Sequence, residues 1–307
     1  MKRAISKIIG ATGLTVSVLV GSGCANLTDT QMGVLGNVLS AVPYAGSHMQ
    51  SAVKVASAAN RAATDITPEQ EYYIGRAVAA TILKQYRPYQ NAALNRYINE
   101  LGQSLALAGD RPQTFGGYHF LVLDTNEINA FSAPGGLILV GKGLIKVAGN
   151  EDELAAVLAH EIGHVHKQHG LASIEQSRLL DLGGALVKTG AQEFGGSTVS
   201  QLTGLFGETV GDITKTLLVN GYSRSQEREA DQAAAMILKR IGYPSQALGS
   251  MLKKMKAQYP ADKVGFAKTH PDPMDRLNDL QGLIGSGEPP ASPAARQIRY
   301  TKAMSGV

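Results

Sequence analysis

The segment His160-Glu161-Ile162-Gly163-His164 constrains this chain more than any other. Asn150, followed three residues later by Glu153, is a capping box that opens a helix running to about Gln168 and stopping at Gly170. Inside it, Leu154, Val157, Leu158, Ile162 and Val165 mark a packed apolar surface. Residues four apart lie on one face of a helix, so the two imidazoles point the same way. Two histidines so placed can grip one tetrahedral zinc ion, and a catalytic zinc takes a third protein ligand and keeps a fourth position open. Glu161 stands one residue past the first histidine. Its carboxylate can reach a water that the metal acidifies and take its proton as that water attacks a carbonyl, without binding metal itself.

The third ligand is sought on a later helix, at about 224–241, where Ser223 and Gln226 form a second capping box. Glu227, Ala230, Asp231, Ala234 and Leu238 follow one stripe that runs into the core, while Glu229 falls on the far side and is expected in solvent. A carboxylate on a buried stripe is costly without a partner, and a metal is one such partner. Glu227 is therefore the candidate ligand and Asp231 the candidate orienter of a histidine. The alternative is a surface charge cluster from Arg224 to Asp231 pairing within itself.

Around this pair the pattern is mostly helical. Thr67-Pro68-Glu69-Gln70 starts a helix carried by Ile74, Val78 and Ile82, and a second spans about 90–108 with Leu94, Tyr97, Ile98, Leu101 and Leu105 on one face. Tyr118 to Leu123 and Gly136 to Val140 read as strands, and another helix covers about 245–257. Residues 171–221 are apolar but interrupted by glycines and by Asp181, Lys188, Glu193, Glu208 and Asp212, too often for a membrane span; they read as mobile helices, a candidate lid. His166 reads as solvated and His169 as structural. Gly285 to Pro293 is rich in Gly, Pro and Ser and suggests that residues 281–307 are a disordered tail.

Composition removes other classes. One cysteine, Cys24, excludes an internal disulfide framework and any cysteine-rich zinc site. The net charge of +4 falls nearly to neutral once Lys2, Arg3 and Lys7 are set aside, and there is no Trp, so neither charge nor stacking platforms point to nucleic acid.

His160-Glu-Ile-Gly-His164-Val followed by Glu227-Arg-Glu-Ala-Asp231 resembles the family-48 metallopeptidases of clan MA. Asn129-Ala-Phe-Ser-Ala-Pro-Gly-Gly136 is similar to the family's segment before its active-site edge strand, Gly143-Leu-Ile145 follows, and Thr269-His270-Pro271 with Arg276 behind it is similar to a late His-Pro motif. The likeness covers about residues 67–280. It implies an α+β zincin-like domain, mainly helical, with a small sheet bearing an exposed substrate-binding edge strand. It implies one zinc ion per chain, held by His160, His164 and Glu227, with Glu161 catalytic. His270 would stabilise the anionic intermediate or occupy the open zinc position in a latent state; a structural histidine before the helix cap at Asp272-Pro273 is the alternative. Asn129, Ala130, Gly135 and Gly136 would shape the substrate edge, with the strand after Gly136 binding an extended chain through its main chain. Membrane-embedded relatives have several spans and others carry helical repeats; neither pattern is read in this chain.

Residues 1–23 have a basic start, an uncharged apolar stretch from Ile8 to Val20 and small residues before Cys24, the layout of a signal peptide. It resembles a bacterial lipoprotein signal, implying lipid on Cys24, and Ala25 implies the outer membrane. Residues 24–66 read as a tether with a weak helix, and 67–280 as the peptidase domain. The expectation is a lipid-anchored, periplasm-facing zinc endopeptidase acting on unfolded or misassembled envelope proteins, with no nucleic-acid partner. A chaperone or assembly module with a latent zinc site, and a zinc hydrolase of a non-peptide bond, are the competing readings.

Overall fold

The protein is described here from a computed structural model covering residues 66–174, 207–258, 270–285 and 287–307. Cys24, the tether and residues 175–206 of the expected lid lie outside these residues, as does Thr269. Helix α1 (Pro68–Ile82) opens on the Thr67/Gln70 capping box, with Pro68 at its first position. Helix α2 (Ala92–Leu107) is capped by Asn91 and buries Leu94, Ile98, Leu101 and Leu105. Strands β1 (His119–Leu123), β2 (Ala130–Ala133) and β3 (Leu137–Gly141) follow, with a 3-10 turn at Pro134–Gly136 joining the last two. Then come α3 (Lys142–Val147), α4 (Glu151–His166) and α5 (His169–Ala172). Next are α6 (Gly207–Lys215), running into a wide π turn (Thr216–Asn220), α7 (Arg224–Arg240), α8 (Gln246–Gln258), α9 (Pro273–Ile284) and α10 (Ala294–Met304). This is the α+β arrangement expected, mostly helix around one small sheet. No helix among the described residues is long and apolar enough to cross a membrane.

The strand order is β1-β3-β2, with β3 parallel to β1 and antiparallel to β2. The strand after Gly136 is therefore the central one, and its main chain is committed on both sides. The exposed edge expected there is therefore not at this strand; the edges of the sheet are β1 and β2, and every residue of β2 is buried. Gly141 N donates to Asn129 O (2.9 Å), which makes Asn129 and Gly141 a hydrogen-bonded pair. Alternation along an antiparallel ladder then turns the main-chain groups of Ala130 and Ser132 away from β3. Sequence alone missed β2 because four residues are too few to show a period.

The sheet buries both faces. Phe120, Val122, Ala130, Ile138 and Val140 pack with α2, α4, α7 and α8, while Leu123, Phe131, Ala133 and Leu139 pack with α1, Ile213 and Leu217. The turn before β3 needs its glycines, since Gly135 and Gly136 have φ of 75° and 97°. It is pinned by the buried carboxylate of Glu71, whose Oε1 accepts from Gly135 N (3.1 Å) and from Arg111 Nη1 (2.9 Å).

Helix α4 is buried along its length up to Val165, including three acids in its first turn. Negative charge suits a helix N-terminus. Asn150 accepts from Glu153 N (2.9 Å), but the Glu153 carboxylate reaches Gly149 N (2.6 Å) rather than closing the expected box. It also meets Ser250 (2.7 Å) and Lys254 (2.6 Å) of α8. Glu151 is paired with Arg299 (2.5 Å) and accepts from the hydroxyls of Tyr97 (3.0 Å) and Tyr243 (2.8 Å). Asp152 is paired with Arg296 (3.0 Å).

Arg296 and Arg299 belong to α10, so the expectation of a disordered tail over 281–307 is corrected. Residues 281–284 complete α9, Gly285 ends it at φ 81°, and α10 lies against the start of α4. Tyr300 donates to Ala148 O (2.5 Å), and Ala303 is buried. The breaker-rich linker suggested disorder, but the docking is set by buried acids some 140 residues away, which no local pattern reveals. Arg299→Ala leaves Glu151 with only neutral donors. Because Arg299 is itself half in water, a loss of about 1–2 kcal/mol is expected, at the low end for hydrogen bonds to charged groups, and urea titration measures it.

Candidate metal centre

Helices α4 and α7 meet at a glycine. A Cβ on Gly163 would sit 2.7 Å from Ala230 O and 3.0 Å from Ala230 Cα, so only glycine between the two histidines permits this approach. Helix α7 starts on a complete Ser223/Gln226 capping box and buries the stripe Glu227, Ala230, Asp231, Ala234 and Leu238. The close approach sets Glu227 against both imidazoles. His160 Nε2 and His164 Nε2 are 3.1 Å apart, Glu227 Oε1 is 3.4 Å from His164 Nε2, and Glu227 Oε2 is 3.5 Å from His160 Nε2. Donors around a tetrahedral zinc ion, with bonds of about 2.0–2.1 Å, stand about 3.3 Å from one another. The two-nitrogen, one-carboxylate set therefore fits a divalent metal in spacing and in chemistry. His270 joins it: ligand atoms of His160, His164, Glu227 and His270 all lie within 4.8 Å of one another.

The protonation states suit the same role. Burial pushes the His164 imidazole down to about 3, keeping it neutral as metal binding needs. Burial acts against ionisation of Glu227, but the charges of His270 and Arg276 and hydrogen bonds from His164 and His270 hold it well below the usual carboxylate range. For Asp231 burial again opposes, and the neighbouring Arg276 outweighs it and holds the carboxyl at about 2.

The two imidazoles are oriented differently. His160 Nδ1 donates to Asp231 Oδ1 (2.8 Å), leaving Nε2 as the lone-pair atom. Asp231 is clasped in turn by Arg276, through Nε to Oδ2 (2.9 Å) and Nη2 to Oδ1 (2.6 Å), while Arg276 Nη1 lies 3.2 Å from Glu227 Oε2. His164 Nδ1 faces His169 Nδ1 at 2.9 Å, and His169 Nε2 lies 3.3 Å from Glu229 Oε2. With His164 Nε2 turned to the centre, the shared hydrogen sits on His164, and His169 accepts it and donates onward to Glu229. The ring of Tyr222 stacks on His164, with centroids 4.1 Å apart and planes 17° apart.

Glu161 Oε2 accepts a hydrogen bond from Ser132 of β2, and Oε1 is buried without a hydrogen-bond partner. His270 Nδ1 lies 2.6 Å from Glu227 Oε1. A narrow cleft in front of Glu161 is lined by Ala130, Ser132, Thr216, Leu217, Tyr222 and His270. Of the residues expected to shape the substrate edge, Ala130 reaches this cleft. Asn129 is buried at the start of β2, its side chain accepting from Ala130 N (2.9 Å), and Gly135 and Gly136 sit in the turn near Tyr72 and Tyr118, away from the cleft. His166, expected in solvent, is half-buried beside Tyr118, and burial pushes it down to about 4. Glu229 is exposed as expected. Sequence reasoning gave no role to Ser132, Tyr222 or the Arg276 clasp. The nearest signal was Ser132 two residues beyond Ala130, on the same side of a strand.

The chain matches peptidase family M48 over residues 92–284. It is similar to the beta-barrel assembly-enhancing protease of Yersinia pestis, with 30% identity over 217 residues that make up 68% of this chain and 43% of that protein. The protein of that name from Escherichia coli (strain K12) is 29% identical over 222 residues, 69% of this chain and 43% of its own length. Metalloprotease YcaL of Escherichia coli is 26% identical over 170 residues, 55% of this chain and 63% of its own. The chain thus spans less than half the length of the first two relatives.

Gly163→Ala forces α4 from α7. A loss of about 1–3 kcal/mol, the usual cost of overpacking, is expected by calorimetry, with metal affinity falling in parallel in a chelator competition. A second outcome concerns pH. His164 and His166 are held neutral in the fold, at about 3 and 4, against 6.5 when unfolded. Below pH 6.5 the unfolded chain binds protons that the folded one refuses. Metal-free protein is expected to be fully stable in this respect above pH 6.5 and to lose stability steadily as pH falls toward 3, as denaturation midpoints across that range will show.

Proposed function

The chain belongs to peptidase family M48, and from that premise we propose that it is a zinc-dependent endopeptidase cleaving extended polypeptide. The observation that carries the proposal is the placement of the Glu227 carboxylate 3.4–3.5 Å from both imidazoles of the His160/His164 pair. Nitrogen and carboxylate donors at tetrahedral spacing favour zinc among the common divalent ions. An ion bound there supplies Lewis-acid chemistry, polarising a carbonyl and making a water more acidic.

The protein's own groups account for the rest. Glu161 is fixed through one oxygen by Ser132, which leaves its buried Oε1 free to take a proton from the attacking water. The water oxygen bonds to the carbonyl carbon, the C–N bond then breaks, and the proton held by Glu161 passes to the leaving amine. The water's second proton passes from the new acid to the amine, so the products are a carboxylate and a protonated amine. The main-chain groups of Ser132 and the carbonyl of Ala130 face away from β3 and offer an extended substrate a strand to pair with beside the cleft, the Ala130 N–H being taken by Asn129 Oδ1. A chain must be unfolded over several residues to bind so, which favours unfolded or misassembled proteins. The printed name of the Yersinia and Escherichia relatives supports placing such substrates in the cell envelope. The signal-like residues 1–23 and Cys24 support lipid anchoring toward the periplasm at the outer membrane.

A second reading, an assembly or chaperone module with a latent centre, draws on one observation. His270 is already gathered with the three ligand side chains. Glu161→Gln separates the two readings. Cleavage of unfolded casein should fall by about 10²–10⁴-fold, with one metal per chain retained by elemental analysis. Unchanged cleavage removes Glu161 from its role. Unimpaired relief of envelope stress by the inactive variant favours the chaperone reading.

A further inference from the structure

One hydroxyl beside the centre is uncommitted. Tyr222 is 8% exposed, its ring lies against His164, and its hydroxyl is buried with no hydrogen-bond partner. It lines the same narrow cleft as Ala130, Ser132, Glu161 and His270. Two other polar groups there are in use. Ser132 donates to Glu161, and His270 Nδ1 is taken by Glu227. Stacking alone would be served equally by phenylalanine, and a buried hydroxyl without a partner costs stability. A donor kept in that condition is suited to an acceptor that arrives with a ligand.

We propose that the Tyr222 hydroxyl donates a hydrogen bond to the oxygen of the scissile carbonyl as that oxygen gains negative charge. This rests on the peptidase reading above and adds a residue to it. A phenol is a neutral donor near pH 7 and gives up no proton in the step; the proton traffic stays with Glu161. The stack on His164 fixes the ring against one of the metal ligands, so the donor is held in place before substrate arrives, which is what makes such donors effective. The π turn at Thr216–Asn220 and the loop that follows it deliver Tyr222 to the cleft just ahead of the α7 cap.

Tyr222→Phe tests this in the full chain, because it keeps the ring and removes only the hydroxyl. With a fluorogenic peptide derived from casein, kcat is expected to fall about 10²–10³-fold, the usual effect of losing one such donor. KM should stay within about twofold and metal content at one per chain. Affinity for a phosphinic peptide, whose tetrahedral anionic phosphorus mimics the reacting carbonyl, should fall at least about tenfold while affinity for the parent peptide does not. The variant should also melt no lower than the wild type. A wild-type kcat in the variant, or a rise in KM alone, would overturn the proposal. Wild-type protein that holds its metal and cleaves nothing would instead overturn the peptidase reading, and this inference with it.

Discussion

The contact between Gly163 and the backbone of Ala230 is the constraint on which the rest depends. The two imidazoles are local to one helix turn, so their pairing costs the fold little. Glu227 is 63 residues beyond His164, on a helix that must lie almost touching the first for its carboxylate to reach. A missing Cβ at one position, and an alanine opposite it, set that separation. The paired imidazoles and the Glu227 carboxylate therefore meet at one packing interface rather than across a set of loops.

That interface carries buried charge. Glu227 and Asp231 are both 1% exposed, and a single guanidinium, Arg276 of α9, meets both. Isolated buried carboxylates would be strongly unfavourable, and removing one member of such a group costs far more than the group contributes as a whole. Arg276 thus does more than balance charge. It holds Asp231 so that His160 presents its lone pair inward, and it binds α9 across the outside of α7. His164 is oriented by a histidine whose far nitrogen leads to an exposed glutamate. One imidazole is locked from within and the other is tied toward solvent.

Much of this is legible in the amino-acid sequence. The capped helices, the facing histidines and the buried stripe with Glu227 and Asp231 rest on periods and caps that the chain declares locally. Which strand is the edge was not legible, because a four-residue β2 shows no alternation and strand order is a property of the whole sheet. The ordered α10 was hidden for a similar reason. Its neighbourhood reads as linker, and what recruits Arg296, Arg299 and Tyr300 is the opening turn of α4. Tyr222 escaped notice because a lone aromatic before a helix cap has no signature until the ring beside it is known.

The clasp of α10 on the first turn of α4 has a consequence for how the protein is made. As the polypeptide leaves the ribosome, Glu151 and Asp152 emerge long before the arginines that neutralise them. Until residues 294–304 are translated and free to dock, those acids favour hydration over burial, and the helix bearing His160 and His164 lacks a settled amino end. Settling of the helix that carries the paired histidines thus draws on sequence translated about 140 residues later.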